Sequence, residues 1–151
     1  MSKNKVIISE NIKDTAKIAC YLLNSPCGNV IALVGDLGAG KTALTKEIAK
    51  ILNIKEKITS PTFVLIKEYP IKNKEIKFNK LVHVDCYRIK SVHDAVNIGL
   101  DEYINEKENL VVIEWADKIM KILPDKKYLI KISHYRENQR KFEINKGKKC
   151  I

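Results

Sequence analysis

Apolar residues recur along the first third of the chain with spacings that predict both helices and buried strands. Apolar positions three and four residues apart predict amphipathic helices at 11–23 and 41–52. The sequence VIALVG at 30–35 is continuously apolar, which is typical of a strand buried on both faces of a parallel sheet. A short β-like run at 6–9 predicts an earlier strand. The pattern therefore predicts the order strand, helix, strand, helix.

The remainder of the chain alternates strand patterns with short helical ones. The runs TFVLIKEY at 62–69 and KFNKLVHVDCYRI at 77–89 suit two strands that a lysine-rich hairpin connects. We also predict a short helix at 91–97, a compact turn at 99–104, a strand at 109–115, a helix at 116–123, and half-exposed strands at 127–133 and 140–145. The sequence therefore predicts one α/β domain over 1–151, with a mixed, largely parallel central sheet, flanking helices and antiparallel edge strands.

Composition excludes several classes of protein. A chain of 151 residues can bury a sizeable core, and 45% hydrophobic with 30% charged residues is too apolar for general disorder. No apolar run approaches the roughly 20 residues that span a bilayer. The start of the chain lacks the long apolar core of a signal peptide. We therefore expect a soluble, cytoplasmic protein with no membrane partner.

The four cysteines, Cys20, Cys27, Cys86 and Cys150, form no CxxC pair and have no histidine at the spacing of a zinc site. Buried or idle thiols are therefore expected, rather than a structural metal site or a disulfide framework.

The formal net charge of +10 would suit nucleic acid or an acidic protein as a partner. Most of this charge is lysine spread along the chain, and only Arg88, Arg136 and Arg140 are arginines. Direct base recognition relies on arginine and aromatic side chains. We therefore interpret the charge as a lysine-rich composition and expect no dedicated DNA binding, with a basic binding surface left open as the alternative.

A glycine-rich segment, GDLGAGKT at 35–42, connects the second predicted strand to the second predicted helix and is called the glycine loop below. Gly35, Gly40, Lys41 and Thr42 fit the spacing GxxxxGK(S/T). In such a loop, backbone N–H groups point at phosphate oxygens, the lysine reaches the outer phosphates and the hydroxyl suits Mg²⁺. The alternative is an ordinary strand-to-helix turn. The pattern in this context predicts a phosphate cradle, but leaves open whether the phosphate is transferred, hydrolysed or only holds a conformation.

Two acids end apolar strand patterns, Asp85 after LVHV and Glu114 after LVVI. A carboxylate at the end of a neighbouring strand can hold the water shell of Mg²⁺ or orient an attacking water. Each acid could instead cap the helix that follows it. Together with the glycine loop, the two acids favour a metal and water site.

The segment SPTF contains Thr62, which in a loop after the second helix could sense the γ-phosphate through Mg²⁺. A plain turn set by Pro61 is the alternative. His83 in LVHVD is interpreted as a histidine at the edge of the core, and Trp115 either packs in the core or lies beside the nucleotide.

Five segments occur in the order GDLGAGKT, SPTFVLIKEY, HVDCYRI, IGLDEYI and IEWADKI between residues 35 and 119. This set resembles the TsaE family, also called YjeE, and the resemblance extends over about residues 9 to 140. The resemblance implies a P-loop ATPase of bacterial tRNA threonylcarbamoyladenosine (t6A) synthesis that binds ATP and Mg²⁺. It also implies TsaD and TsaB as partners, with tRNA reached through their complex. In that pathway TsaD transfers the threonylcarbamoyl group, and the TsaE protein regulates or resets the complex.

The resemblance also implies roles for single residues. Thr42 and Glu114 are similar to the family's Mg²⁺ site, Asp85 to its acid important for hydrolysis, and Trp115 to its tryptophan near the nucleotide. The remaining implied positions are Gly35, Asp36, Leu37, Gly38, Ala39, Gly40, Lys41 and Ala43 at the nucleotide, Thr15 near the adenine, and Ser60 and Thr62 in a switch-like segment. Lys41 is also a candidate catalytic residue. Ala43 stands where many members have a second threonine.

Three other interpretations of the glycine loop differ in what they require. A small-molecule kinase usually clamps both donor and acceptor with several arginines and a lid, and this chain has three arginines. A GTP-binding switch would normally carry an NKxD-type segment, so its absence from the sequence favours ATP. A nucleotide-dependent binding module with incidental hydrolysis overlaps with a regulatory ATPase, since both need the nucleotide to change partner affinity.

Overall fold

The computed structural model describes residues 4–61, 65–148 and 150. The strands are β1 Asn4–Ser9, β2 Val30–Val34, β3 Ile66–Pro70, β4 Lys80–Asp85, β5 Asn109–Glu114, β6 Tyr128–His134 and β7 Arg140–Lys146. The α-helices are α1 Ile12–Asn24, α2 Lys41–Ile51, α3 Val92–Asn97 and α4 Leu100–Asn105, and a 3₁₀ helix spans Ala116–Ile122. Within these residues, no helix combines the length and the apolarity that crossing a membrane requires.

The seven strands form one sheet in the order β1-β7-β6-β2-β5-β4-β3. The four central strands, β6, β2, β5 and β4, are parallel to one another. At the edges, β3 pairs with β4, β7 with β6 and β1 with β7, all antiparallel. The predicted α/β fold with a mixed, centrally parallel sheet and antiparallel edge strands is therefore confirmed.

Helices cover both faces of the central strands, which explains why the sequence of β2 is continuously apolar. On one face, Ile31 and Leu33 of β2 belong to the apolar cluster that includes buried residues of α1 and α2. On the other face, Val30 and Ala32 pack in the cluster formed with α3, α4 and the 3₁₀ helix. Because side chains alternate along a strand, every residue of this strand faces a helical layer.

The start of α1 is fixed by a side-chain cap. Asn11 accepts hydrogen bonds through its side-chain oxygen from the backbone N–H groups of Lys13 and Asp14, at 2.9 and 3.2 Å. These bonds satisfy two of the donors that a helix leaves unpaired at its first turn. The predicted start of this helix at Asn11 is therefore correct to one residue.

Several predicted elements differ from the structure. The compact turn predicted at 99–104 is wrong, because Gly99 adopts a φ of 79° and starts the short helix α4. The predicted helix at 116–123 is a 3₁₀ helix broken by a non-helical conformation at Ile119. The strands predicted at 62–69 and 77–89 are shorter than expected, since β3 begins at Ile66 and β4 spans Lys80–Asp85. Residues 62–64 lie outside the described residues.

The expectation of four idle thiols is wrong for one pair. Cys27 and Cys150 form a disulfide, with Cα atoms 5.3 Å apart. They are separated by 123 residues, so no spacing rule for neighbouring cysteines could have indicated the pair. Cys20 and Cys86 are free. Burial raises the pKa of the Cys86 thiol to about 12, which keeps it protonated and unreactive at neutral pH.

Candidate functional site

The glycine loop leaves the carboxyl end of β2 and leads directly into α2. Gly40, the residue before the first turn of α2, has a φ of 115°, which strains any residue with a side chain. Gly35 lies so close to β6 that a Cβ atom there would be 2.4 Å from the carbonyl oxygen of Ile132. Backbone geometry therefore demands glycine at both ends of this loop.

Lys41, the first residue of α2, is buried beneath the glycine loop. Its Nζ donates hydrogen bonds to the carbonyl oxygens of Gly35 and Asp36, at 2.5 and 2.8 Å. Burial lowers the pKa of Lys41, and the negative charges of Glu114 and Asp85 oppose that shift. The lysine is thus a positive group held inside the loop, next to two acids that come from other strands.

The two acids lie side by side at the carboxyl ends of neighbouring parallel strands. Asp85 and Glu114 are register partners in the pairing of β4 with β5, and both are almost fully buried. Oε1 of Glu114 accepts a hydrogen bond of 2.6 Å from the Oγ1 hydroxyl of Thr42. A hydroxyl and a carboxylate oxygen at this separation are the hard oxygen ligands that suit Mg²⁺, which completes its shell with water and phosphate oxygens.

Asp85 connects the end of β4 to the segment that precedes β3. One carboxylate oxygen accepts the backbone N–H of Tyr87, and the other accepts the hydroxyl of Ser60, each at 2.8 Å. The backbone N–H of Asp85 also donates to the carbonyl oxygen of Leu65 at 2.9 Å. The chain on either side of Thr62 is therefore hydrogen-bonded to this acid, through Ser60 and Leu65, while Thr62 itself lies outside the described residues.

Trp115 follows Glu114 and has an unusual backbone conformation for a residue other than glycine. Its φ of 58° and ψ of 39° turn the chain sharply at the end of β5. The indole ring lies 4.2 Å from Nζ of Lys41 and 5.2 Å from the ring of Tyr87. A strained residue at such a position is typical of functional sites, where the surrounding structure holds the strain.

These groups surround one cleft of about 440 Å³. The predicted residues that line it are Leu37, Gly38, Gly40, Lys41, Thr42, Ala43, Ser60, Asp85, Glu114 and Trp115, and Tyr87 adds a further aromatic side. The remaining loop residues Gly35, Asp36 and Ala39 build the backbone of the loop without lining the cleft. Residues from four separate parts of the chain therefore meet on one concave surface.

A second cleft of about 340 Å³ shares Gly38, Gly40 and Ala43 with the first one. Thr15 lines this cleft, and its hydroxyl lies 3.2 Å from that of Ser9. Residues without an assigned role at the sequence level also line it: Asn11, Ile12, Asn138, Arg140 and Phe142. The sequence carries no local signal for this set, because it combines the start of α1 with the region around β7.

A family model described as threonylcarbamoyl adenosine biosynthesis protein TsaE matches residues 9–142. The match spans both clefts. The chain belongs to the TsaE family. The sequence resemblance to TsaE is thereby confirmed, and it rests on nearly the whole chain rather than on the glycine loop alone.

Individual TsaE relatives agree with the family match. The tRNA threonylcarbamoyladenosine biosynthesis protein TsaE of Bacillus subtilis is 36% identical over 138 residues, which are 91% of this chain and 81% of that protein. The protein of the same name from Aquifex aeolicus is 34% identical over 145 residues, 93% of this chain and 95% of that protein. A crystal structure of Bacillus subtilis YdiB superposes with a TM-score of 0.76 at 31% identity, covering 97% of this chain and 88% of that one.

The position of His83 in the structure differs from the position that the sequence predicts. It was expected at the edge of the core, yet its side chain is completely buried and its Nε2 lies 3.1 Å from Oε2 of Glu114. One signal could have located it, because residues two apart on a strand share a face and His83 precedes Asp85 by two. The candidate site thus includes a histidine behind its two acids.

Proposed function

We propose that this chain is the ATP-binding and ATP-hydrolysing component of tRNA t6A synthesis, acting with TsaD and TsaB to regulate or reset the transfer step. Membership of the TsaE family supports the place in t6A synthesis. The observation that carries the ATP site is the glycine loop with Thr42 hydrogen-bonded to Glu114 at 2.6 Å. A phosphate cradle and a carboxylate from the next strand are the parts that nucleotide hydrolysis needs.

The glycine loop and the start of α2 bind the phosphates of ATP. Backbone N–H groups of the loop and the positive end of the α2 dipole attract the phosphate oxygens. Lys41 exchanges its hydrogen bonds to the carbonyl oxygens of Gly35 and Asp36 for bonds to phosphate oxygens. Bonds to ionised oxygens are stronger than bonds to carbonyl groups, so this exchange favours the nucleotide complex.

Thr42 and Glu114 are the residues that would hold Mg²⁺ beside the phosphates. When bound, the ion neutralises negative charge on the phosphate oxygens. Glu114 is nearly fully buried and brings its carboxylate to Thr42 from the neighbouring strand β5. The protein side of this site is therefore formed by two residues from different elements of the fold.

Asp85 orients the attacking water and accepts its proton as the water oxygen bonds to the γ-phosphorus. The bond between that phosphorus and the bridging oxygen breaks, so ADP and phosphate are the products. Asp85 also accepts a hydrogen bond from the Ser60 hydroxyl. Protonation or movement of this carboxylate therefore changes a direct contact of the switch-like segment. Hydrolysis can thereby alter the surface that TsaD and TsaB recognise.

The second cleft takes the adenine and ribose of the nucleotide. It adjoins the glycine loop through Gly38, Gly40 and Ala43, so a ligand with phosphates in the loop can extend into it. Ile12 is exposed and offers apolar surface for a flat base, and Thr15 and Asn11 offer polar groups. Apolar walls with a few polar groups are typical of small-molecule sites.

Trp115 provides a direct measurement of nucleotide binding, because it is the chain's only tryptophan. Its ring lies 4.2 Å from Nζ of Lys41, and that ammonium group moves when it turns to the phosphates. We expect ATP with Mg²⁺ to change the tryptophan fluorescence in a saturable titration. Adenosine at the same concentrations is the control. An unchanged spectrum at saturating ATP, with binding established by calorimetry, would contradict the proposed exchange of Lys41 contacts.

The proposed function is tested by measuring ATP turnover with TsaB and TsaD, added singly and together, with and without tRNA. We expect slow turnover by the isolated chain and acceleration only when both partners are present. A variant with Lys41 replaced by alanine, mixed with the same partners, controls for contaminating ATPases. Fast turnover by the chain alone, or transfer of the phosphate to a nucleoside, would instead favour a small-molecule kinase.

A further inference from the structure

His83 lies in the middle of β4 with no exposed surface, on the same face of the sheet as Asp85. Its Nε2 is 3.1 Å from Oε2 of Glu114, while Oε1 of the same carboxylate accepts the Thr42 hydroxyl. The two oxygens of Glu114 are therefore held by different elements, one by the start of α2 and one by β4. Neither contact is local in sequence.

The chemistry of the two groups fixes the proton on the imidazole ring. An ionised carboxylate only accepts hydrogen bonds, so Nε2 of His83 donates the bond when Glu114 is ionised. In the neutral imidazole ring Nδ1 is then an acceptor, and it is buried without a hydrogen-bond partner among the described residues. Buried polar atoms in proteins are normally paired. An apolar side chain would otherwise suit this strand position, so among the described residues the bond to Glu114 is the interaction that accounts for a histidine here.

We propose that His83 is a positioning residue that holds the Glu114 carboxylate with Oε1 facing Thr42, an inference that rests on the proposed ATPase function. The last torsion of a glutamate side chain has a broad energy minimum, so its carboxylate rotates unless both oxygens are held. With Oε2 fixed by His83, Oε1 stays at the place where a hydroxyl and a carboxylate together suit Mg²⁺. His83 thus acts on the nucleotide site through Glu114 and touches no ligand.

The test compares ATP affinity with Mg²⁺ and with EDTA in three variants. His83→Leu removes the donor, whereas His83→Gln keeps a donor nitrogen that can reach Glu114. His93→Gln changes an exposed histidine on α3 and is the matched control. We expect His83→Leu to weaken Mg²⁺-dependent affinity by about 10- to 100-fold, the usual effect of losing a partner behind a metal ligand. Affinity in EDTA should stay unchanged, and His83→Gln should recover most of the loss.

A double-mutant cycle separates positioning from a general loss of packing. If His83 acts only through the carboxylate, His83→Leu should cause no further loss of Mg²⁺-dependent affinity in a Glu114→Ala background. An equal loss in both backgrounds would overturn the proposal. So would a His83→Leu variant that binds ATP with Mg²⁺ as tightly as the parent, or one that weakens binding equally in EDTA.

A measurement without nucleotide keeps this inference separate from the proposed function. Imidazole nitrogen chemical shifts of the whole protein, assigned by comparison with His83→Gln, report which ring nitrogen carries the proton. We expect the proton of His83 on Nε2, and a proton on Nδ1 alone would refute a hydrogen bond donated by His83 to Glu114. If the parent protein shows no Mg²⁺-dependent ATP affinity, the ATPase proposal fails and the inference that rests on it fails too. The nitrogen shifts then still show whether the contact itself exists.

Discussion

Replacing Lys41 with alanine is expected to weaken ATP binding in the presence of Mg²⁺ by about 100-fold or more. A hydrogen bond from a charged group contributes about 1.5–3 kcal/mol, and the ammonium of Lys41 uses two donors on carbonyl oxygens in this structure, so ATP binding gains the excess of the phosphate bonds over these two. In the nucleotide complex these donors turn to phosphate oxygens, and alanine supplies none. Isothermal titration calorimetry measures the change directly, without depending on Trp115, whose environment the substitution also alters.

Lys46→Ala provides the matched control, because Lys46 lies exposed on the same helix and lines neither cleft. Both variants remove one positive charge, so a purely electrostatic effect of net charge would weaken binding equally in the two. Thermal unfolding of each variant shows whether the fold is intact. If Lys41→Ala binds ATP with Mg²⁺ as well as the parent does, the assignment of the glycine loop as a phosphate cradle is wrong.

The glycine loop was predictable because its whole signal lies within eight residues. Gly40 adopts a left-handed conformation and Gly35 lies close to Ile132, and each of these features excludes a side chain. The glycines that the structure requires are therefore visible as a short motif in the sequence. Burial of β2 between two helical layers likewise leaves a continuous apolar run in the sequence. Local geometry with a strict residue requirement can thus be recognised without a structure.

The arrangement of the acids was predictable only in part. The apolar runs identified Asp85 and Glu114 as the last residues of strands, and their register pairing puts them side by side. What the runs do not contain is the strand order β2-β5-β4, which brings Glu114 to Thr42 across 72 residues of chain. Contacts of this kind depend on the order of the strands in the sheet. The hydrophobic period and the composition of the chain would be the same for many strand orders.

Residues from distant segments that lie around the candidate site were missed. The alternation in LVHVD puts His83 on the same face as Asp85, but it does not indicate that the neighbouring strand presents Glu114 to it. Asn138 and Arg140 line the same cleft as Thr15 because the pairing of β1 with β7 brings the two ends of the chain together. Cys150 reaches Cys27 in the same long-range way. In each case the residue type alone indicates no role, and the structure is needed to show which residue lies next to it.

Replacing Asp85 with asparagine is expected to slow ATP hydrolysis by about 100-fold or more, since general base catalysis contributes about 10²- to 10⁴-fold. ATP affinity should change much less, because Asp85 accepts bonds from Ser60 and Tyr87 rather than holding the phosphates. Asparagine can preserve these contacts: its oxygen accepts the Tyr87 N–H, and its amide group donates to the Ser60 hydroxyl, which can also accept. Single-turnover measurements, with the protein in excess over ATP and concentrated enough to bind all of it, isolate the chemical step.

Asp101→Asn is the control, because Asp101 belongs to α4 and lines neither cleft, yet the substitution removes the same charge. Its single-turnover rate should match that of the parent. A Ser60→Ala variant adds a graded comparison: it keeps the Asp85 carboxylate but removes the hydroxyl that donates to it, so it should slow hydrolysis less than Asp85→Asn does. If Asp85→Asn hydrolyses bound ATP at the parental rate, Asp85 has no part in the chemistry, and the water must be activated by another group in the cleft.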